Sequence, residues 1–104
     1  MTARREAPMP ADLFNLDLDP NTRAKREQRA ADAGLETCTH CGRGVKPGKA
    51  VVVVVTGGGA TVLHPDDETE ADTLDNGYMG AWLLGSTCAK QIPAEIRQTW
   101  EGWN

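Results

Sequence analysis

Apolar residues fall into two regions of the chain, and each region has its own period. Residues 50–55 (Ala50, then Val51, Val52, Val53, Val54 and Val55) form an unbroken, mostly β-branched run. It is too short for a typical helix and rich in side chains that fit a pleated surface, so it predicts a strand. Gly57, Gly58 and Gly59 then turn the chain, and residues 60–64, ending at His64, return as a second strand to make a hairpin. After the turn signal Asn76-Gly77, residues 78–84 predict a third strand, weakened by Gly80. Farther on the period changes. Ile92, Ile96, Trp100 and Trp103 recur at helical spacing and predict a helix over 89–100 with one apolar face and Pro93 near its start.

The first 37 residues carry no comparable stripe. Ala7-Pro8-Met9-Pro10 is broken by prolines, and residues 11–19 alternate acidic and apolar side chains. Asp19 suits an N-cap, Pro20 the first helical position and Gly34 the stop, so a short helix is expected between them. Its interior holds Arg23, Lys25, Arg26, Glu27 and Arg29, with alanine as the only apolar content. Such a helix has little to bury and is expected to be solvated and frayed. The pattern thus divides the chain into a flexible tail with a short charged helix (1–37) and a globular domain (38–104). Together they define a small α+β protein with a mobile N-terminal tail.

Cysteine changes this picture. The chain has 104 residues and three cysteines, an odd number that a secreted disulfide framework would leave partly unpaired. No apolar run approaches the ~20 residues of a membrane span, so no membrane partner is expected. No apolar signal core follows Arg4 and Arg5, and a cytoplasmic location is expected. In a reducing compartment, Cys-x-x-Cys with a distant third cysteine indicates a metal rather than a disulfide. Cys38-Thr39-His40-Cys41-Gly42-Arg43 reads as a zinc knuckle, two thiolates and a glycine that lets the backbone fold under the ion. Cys88 follows Gly85-Ser86-Thr87 at the expected start of a helix, where free backbone N–H groups favour a thiolate. Knuckle, hairpin, third strand and then a ligand at the C-terminal helix is the order of a treble-clef-like domain stabilised by structural zinc. A core of this size needs such a staple, and zinc contributes on the order of 10–16 kcal/mol in small finger peptides.

The metal set read from the sequence is Cys38, Cys41, Cys88 and, as fourth ligand, His64 at the end of the second hairpin strand. His40, Asp66, Asp67 and solvent are the alternatives. A thioredoxin-like dithiol would need a βαβ context, and a deaminase would need His-x-Glu ahead of Pro-Cys-x-x-Cys; this sequence has neither. The glycines between Gly42 and Gly48 miss the register of a phosphate loop, and Ala50 stands where such a loop needs Ser or Thr. No nucleophile–base pair or paired carboxylates are evident, so the chain is not expected to be an enzyme.

Net charge is −4, and residues 35–104 carry five Lys or Arg against nine Asp or Glu. Arg43, Lys46 and Lys49 make only a small basic patch beside the knuckle, so a nucleic-acid-binding finger is the second reading, not the first. The first reading is a zinc-binding, non-catalytic protein-interaction module. An exposed acidic loop at 66–75 and the acidic-apolar tail are its candidate contacts.

Two resemblances bear on this reading. At Cys38-x-x-Cys41-Gly42-Arg43 and Gly85-x-x-Cys88-Ala89-Lys90 the chain resembles short zinc-finger-like domains of actinobacteria and their bacteriophages. The resemblance covers about half the chain and departs from the pattern by the long insert at 51–84. It implies a metal-binding fold and a phage or actinobacterial source and carries no established activity; the interaction-module reading adds a host protein as the expected partner. In the tail, Pro10-Ala11-Asp12-Leu13-Phe14 resembles the peptide by which bacterial replication proteins bind the sliding clamp. Asp12, Leu13 and Phe14 match that motif, whereas Pro10 replaces its leading Gln. The alternative for this segment is a tail that folds lightly onto the domain through Leu13, Phe14 and Leu16.

Overall fold

The valine run is the middle of the molecule. The computed structural model describes residues 4–11, 19–74 and 77–102. Its elements, in chain order, are β1 (Glu6–Pro8), α1 (Pro20–Asp32), β2 (Glu36–Thr37), β3 (Gly44–Val45), β4 (Val51–Thr56), β5 (Thr61–Leu63), α2 (Glu70–Leu74), β6 (Gly80–Leu84), α3 (Ser86–Ala89) and β7 (Gln98–Thr99). The main sheet has the order β1-β5-β4-β6, all antiparallel, and β7 also pairs with β4. β2 and β3 form a separate two-stranded ribbon that encloses the knuckle.

β4 is an unalternated apolar run because both of its faces are covered. Val53 and Val55 join Val62, Trp82, Leu84, Ile92, Ile96 and Trp100 in one buried cluster. Val54 points the other way along the pleat and is buried too, opposite Leu63 of β5. The expected hairpin and third strand are therefore present. Val54 pairs with Leu63, Val55 with Val62, and Val51 with Leu84. None of the helices is long and apolar enough to cross a membrane among the described residues.

The C-terminal helix expected over 89–100 is not formed. α3 stops at Ala89, a 3-10 turn spans Ala94–Ile96, and β7 adds to the start of β4. Pro93 is the cause. It has no N–H to donate and biases Ile92 away from helical geometry. Ile92, Ile96 and Trp100 are still buried, so the apolar spacing was a true core signal carried on a folded-back loop. The Trp100 N–H donates to the Ala50 carbonyl at 2.9 Å, and the Gly48 N–H to the Trp100 carbonyl at 2.7 Å. Trp103 lies outside the described residues.

The expected mobile tail is also revised for residues 4–11. β1 adds to the edge of β5, with hydrogen bonds from the Met9 N–H to the Ala60 carbonyl and from the His64 N–H to the Arg5 carbonyl. Two acidic side chains of the 66–75 segment clip it in place. Arg4 meets Asp72 at 2.7 Å and Arg5 meets Asp67 at 2.7 Å. The acidic segment is thus partly a docking surface for the chain's own N-terminus.

The Arg5 guanidinium and backbone N–H hold the Asp67 carboxyl down, from 3.8 to about 2. A depressed carboxylate stabilises the fold above its ordinary value, and that contribution is lost as pH falls from about 4 through about 2. Asp67→Asn removes it at neutral pH, away from any thiol protonation. Hydrogen exchange at the Met9 and His64 amides is expected to speed up several-fold in this variant while the Val53 and Val55 amides keep their protection. Unchanged exchange at Met9 and His64 would show that the clip does not hold β1.

Candidate metal centre

The three thiols converge because β6 serves both halves of the site. Its last residue leads through Gly85 into α3, which carries Cys88. From the other side, the Thr39 N–H donates to the Leu83 carbonyl at 2.8 Å and fastens the knuckle to the same strand. Within the knuckle the Cys38 N–H donates to the Arg43 carbonyl at 2.9 Å, and the Gly42 N–H to the Cys38 carbonyl at 2.8 Å. Gly42 takes φ +77°, a conformation that only glycine adopts readily. A side chain there would stand in ordinary contact with Arg23, so the constraint is the backbone conformation.

The sulfur atoms of Cys38, Cys41 and Cys88 all lie within 4.8 Å of one another. Cys38 and Cys88 are buried and Cys41 is half-buried. No disulfide joins them. Thiolates on one tetrahedral ion, each ~2.3 Å from it, stand roughly 3.8 Å apart, so this cluster is of the right size to hold a metal.

Electrostatics point the same way. Burial opposes ionisation of Cys38, but backbone hydrogen bonds from Gly85, Cys41 and His40 prevail and draw its thiol below the ordinary value. Burial, together with the neighbouring Cys38 and Cys41 sulfurs, pushes Cys88 up to about 12. Without a cation the cluster therefore favours the Cys38 thiolate and resists ionisation of Cys88. A bound metal ion supplies the positive charge that lets all three ionise.

The structure relocates the histidines. His64, expected as the fourth ligand, is buried at the far end of β5, where its Nδ1 accepts the Asp66 N–H at 3.1 Å and caps a 3-10 turn. It takes no part in the cysteine cluster. Asp66 stands beside it, and Asp67 is committed to Arg5. The histidine at the site is His40, whose Nδ1 lies 3.2 Å from the Cys88 sulfur. Pro65 is the physical reason that His64 stands apart from the thiols. Pro65 follows His64 and starts a turn that aims the ring at its own backbone, which strand order alone does not reveal.

α1 contributes donors that no local pattern in the chain signals. It starts as expected, with the Asp19 side chain accepting the Thr22 N–H at 3.0 Å and Pro20 in the first turn. It is docked rather than frayed: Ala30 is buried, and two arginines reach the knuckle. Arg23 donates to the Thr39 and His40 carbonyls, and Arg26 donates to the Cys41 carbonyl at 3.1 Å. These carbonyls belong to a tight turn without strand partners, so the guanidinium groups satisfy them. The absence of an apolar stripe in α1 is explained by polar docking. The cysteines themselves floor a cleft of about 580 Å³ rimmed by Arg43, Lys46 and Lys49.

Asp12, Leu13 and Phe14, the expected partner-binding residues, lie outside the described residues. Comparison with protein-family models, curated proteins and solved structures finds no match for the chain.

Proposed function

We propose that the chain is a small zinc-stabilised, non-catalytic binding module with a treble-clef-like centre. The observation that carries this reading is the convergence of the knuckle thiols Cys38 and Cys41 with the Cys88 thiol of α3. A sulfur-rich, largely buried donor set suits zinc better than the oxygen-preferring cations. His40 is the fourth ligand on this reading, in place of His64, because its ring already borders the Cys88 sulfur. Four protein ligands leave no open position for a reacting water, so the ion holds the fold together and performs no chemistry. When bound, zinc neutralises the thiolates and joins the knuckle to β6 and α3. The phage setting and a host-protein partner, contacted through Asp12, Leu13 and Phe14, complete the reading.

The ligand assignment is tested by zinc competition and by cobalt absorption of the substituted protein. His40→Ala is expected to weaken zinc binding at least about 10-fold, since even groups that only orient a ligand are worth 10–100-fold. It should also alter the cobalt spectrum. His64→Ala is expected to leave both unchanged. The opposite pattern would return the fourth position to His64.

A further inference from the structure

One face of this acidic protein has the opposite charge. The cleft over the cysteines, about 580 Å³, and a neighbouring one of about 530 Å³ are both lined by Arg26, Arg43 and Gly44 and so adjoin as a two-part groove. Its walls carry Arg29 and Arg26 from α1, then Arg43, Lys46 and Lys49 from the loop around β3. That is five of the chain's eleven Lys and Arg residues, and no Asp or Glu among the described residues lines either cleft. Among the described residues no carboxylate pairs with Arg29, Arg43, Lys46 or Lys49.

Five like charges in one groove repel one another, and the metal centre does not explain them. Three thiolates around a divalent ion sum to a single negative charge, which one cation offsets. The rest are free for a ligand with several negative charges spaced along its length. We propose that this groove binds the phosphodiester backbone of a single-stranded nucleic acid. The proposal rests on the metal-built fold of the preceding section and not on its protein partner.

Two features support this choice of ligand. The cations come from two separate stretches of chain, Arg26 and Arg29 on α1 and Arg43, Lys46 and Lys49 around β3, which suits charges spaced along a polymer better than a lone phosphate. Among the described residues no Tyr or Trp lines either cleft, so recognition falls on the backbone, without regard to sequence. Counting charges over residues 35–104 hid this surface, because Arg26 and Arg29 come to it from the preceding helix.

Fluorescence anisotropy of a labelled oligothymidylate, titrated with the zinc-loaded full chain, is the test. Five phosphate contacts on a single strand give a slope of log affinity against log salt of about −3.5, so affinity is expected to fall about 100-fold between 50 and 200 mM salt. The paired variant Lys46→Glu, Lys49→Glu alters exposed side chains of the groove. It is expected to weaken binding at least about 10-fold at low salt and to flatten the slope. The matched control Lys25→Glu, Lys90→Glu, equal in charge but outside the groove, should bind far more like the parent chain. Equal losses in the two pairs would overturn the proposal, as would tighter binding of duplex than of single strand. Zinc content and the thermal transition are read on the same samples. A failed metal reading then appears as missing zinc, whereas a failed groove appears as zinc-loaded, folded protein that leaves the strand unbound.

Discussion

Cys88→Ser is expected to yield a protein that holds no stoichiometric zinc and shows no cooperative thermal transition. The substitution removes one of three clustered sulfurs, and a serine hydroxyl does not replace a thiolate on zinc. The magnitude decides the outcome. Structural zinc is worth on the order of 10–16 kcal/mol in small fingers, whereas a whole domain is stable by roughly 5–15 kcal/mol. Losing the ion therefore removes a contribution as large as the net stability. Cys88 is the severest of the three positions because, of the three thiols, it alone lies outside the knuckle, on the helix that follows β6. Trp82 and Trp100 are both buried, so their fluorescence reports the loss of structure. A Cys88→Ser protein with a native transition and full zinc content would refute the bridging role.

Leu84→Ala should have the second largest effect, and it separates the core from the metal. Leu84 is fully buried, lies opposite Val51 in the sheet and directly precedes the turn into α3. Truncating a buried leucine costs about 3 kcal/mol, from lost transfer energy and the cavity left behind. For a domain of this size each kcal/mol lowers Tm by roughly 4–8 °C, so a drop of about 12–24 °C is expected in the zinc-loaded protein. Zinc stoichiometry should remain at one, because all three thiols are untouched. An unchanged midpoint would mean that the sheet contributes little beyond what the ion already supplies.

Strand signals were easy to read because they are local. The β-branched run and the glycine turn after it lead straight to the β4–β5 pairing, and the caps of α1 are where Asp19, Pro20 and Gly34 place them. The thiol cluster was legible for another reason: the two-residue spacing in the knuckle is itself a ligand geometry, and Cys88 was the one remaining thiol. Tertiary context decided the rest. Ile92, Ile96 and Trp100 fit one face of a helix, yet Pro93 breaks it; Ile96 reaches the core from a 3-10 turn, and Ile92 and Trp100 reach it from irregular chain on either side. Arg23 and Arg26 looked like a solvated helix face, because nothing local shows that the carbonyls of Thr39, His40 and Cys41 would need donors. His64 stands apart from the thiols because a proline turn captures its ring, whereas the knuckle places the His40 ring beside Cys88. Arg4 and Arg5, far from Asp72 and Asp67 in sequence, pair with them only once β1 has joined the sheet.

Zinc-edge X-ray absorption of the purified, reduced protein tests the central claim most directly. One ion per chain, with three sulfurs at about 2.3 Å and one nitrogen at about 2.0 Å, is the result expected of a centre built by Cys38, Cys41, Cys88 and His40. Folded protein without zinc, or a zinc shell with two sulfurs or fewer, would contradict it.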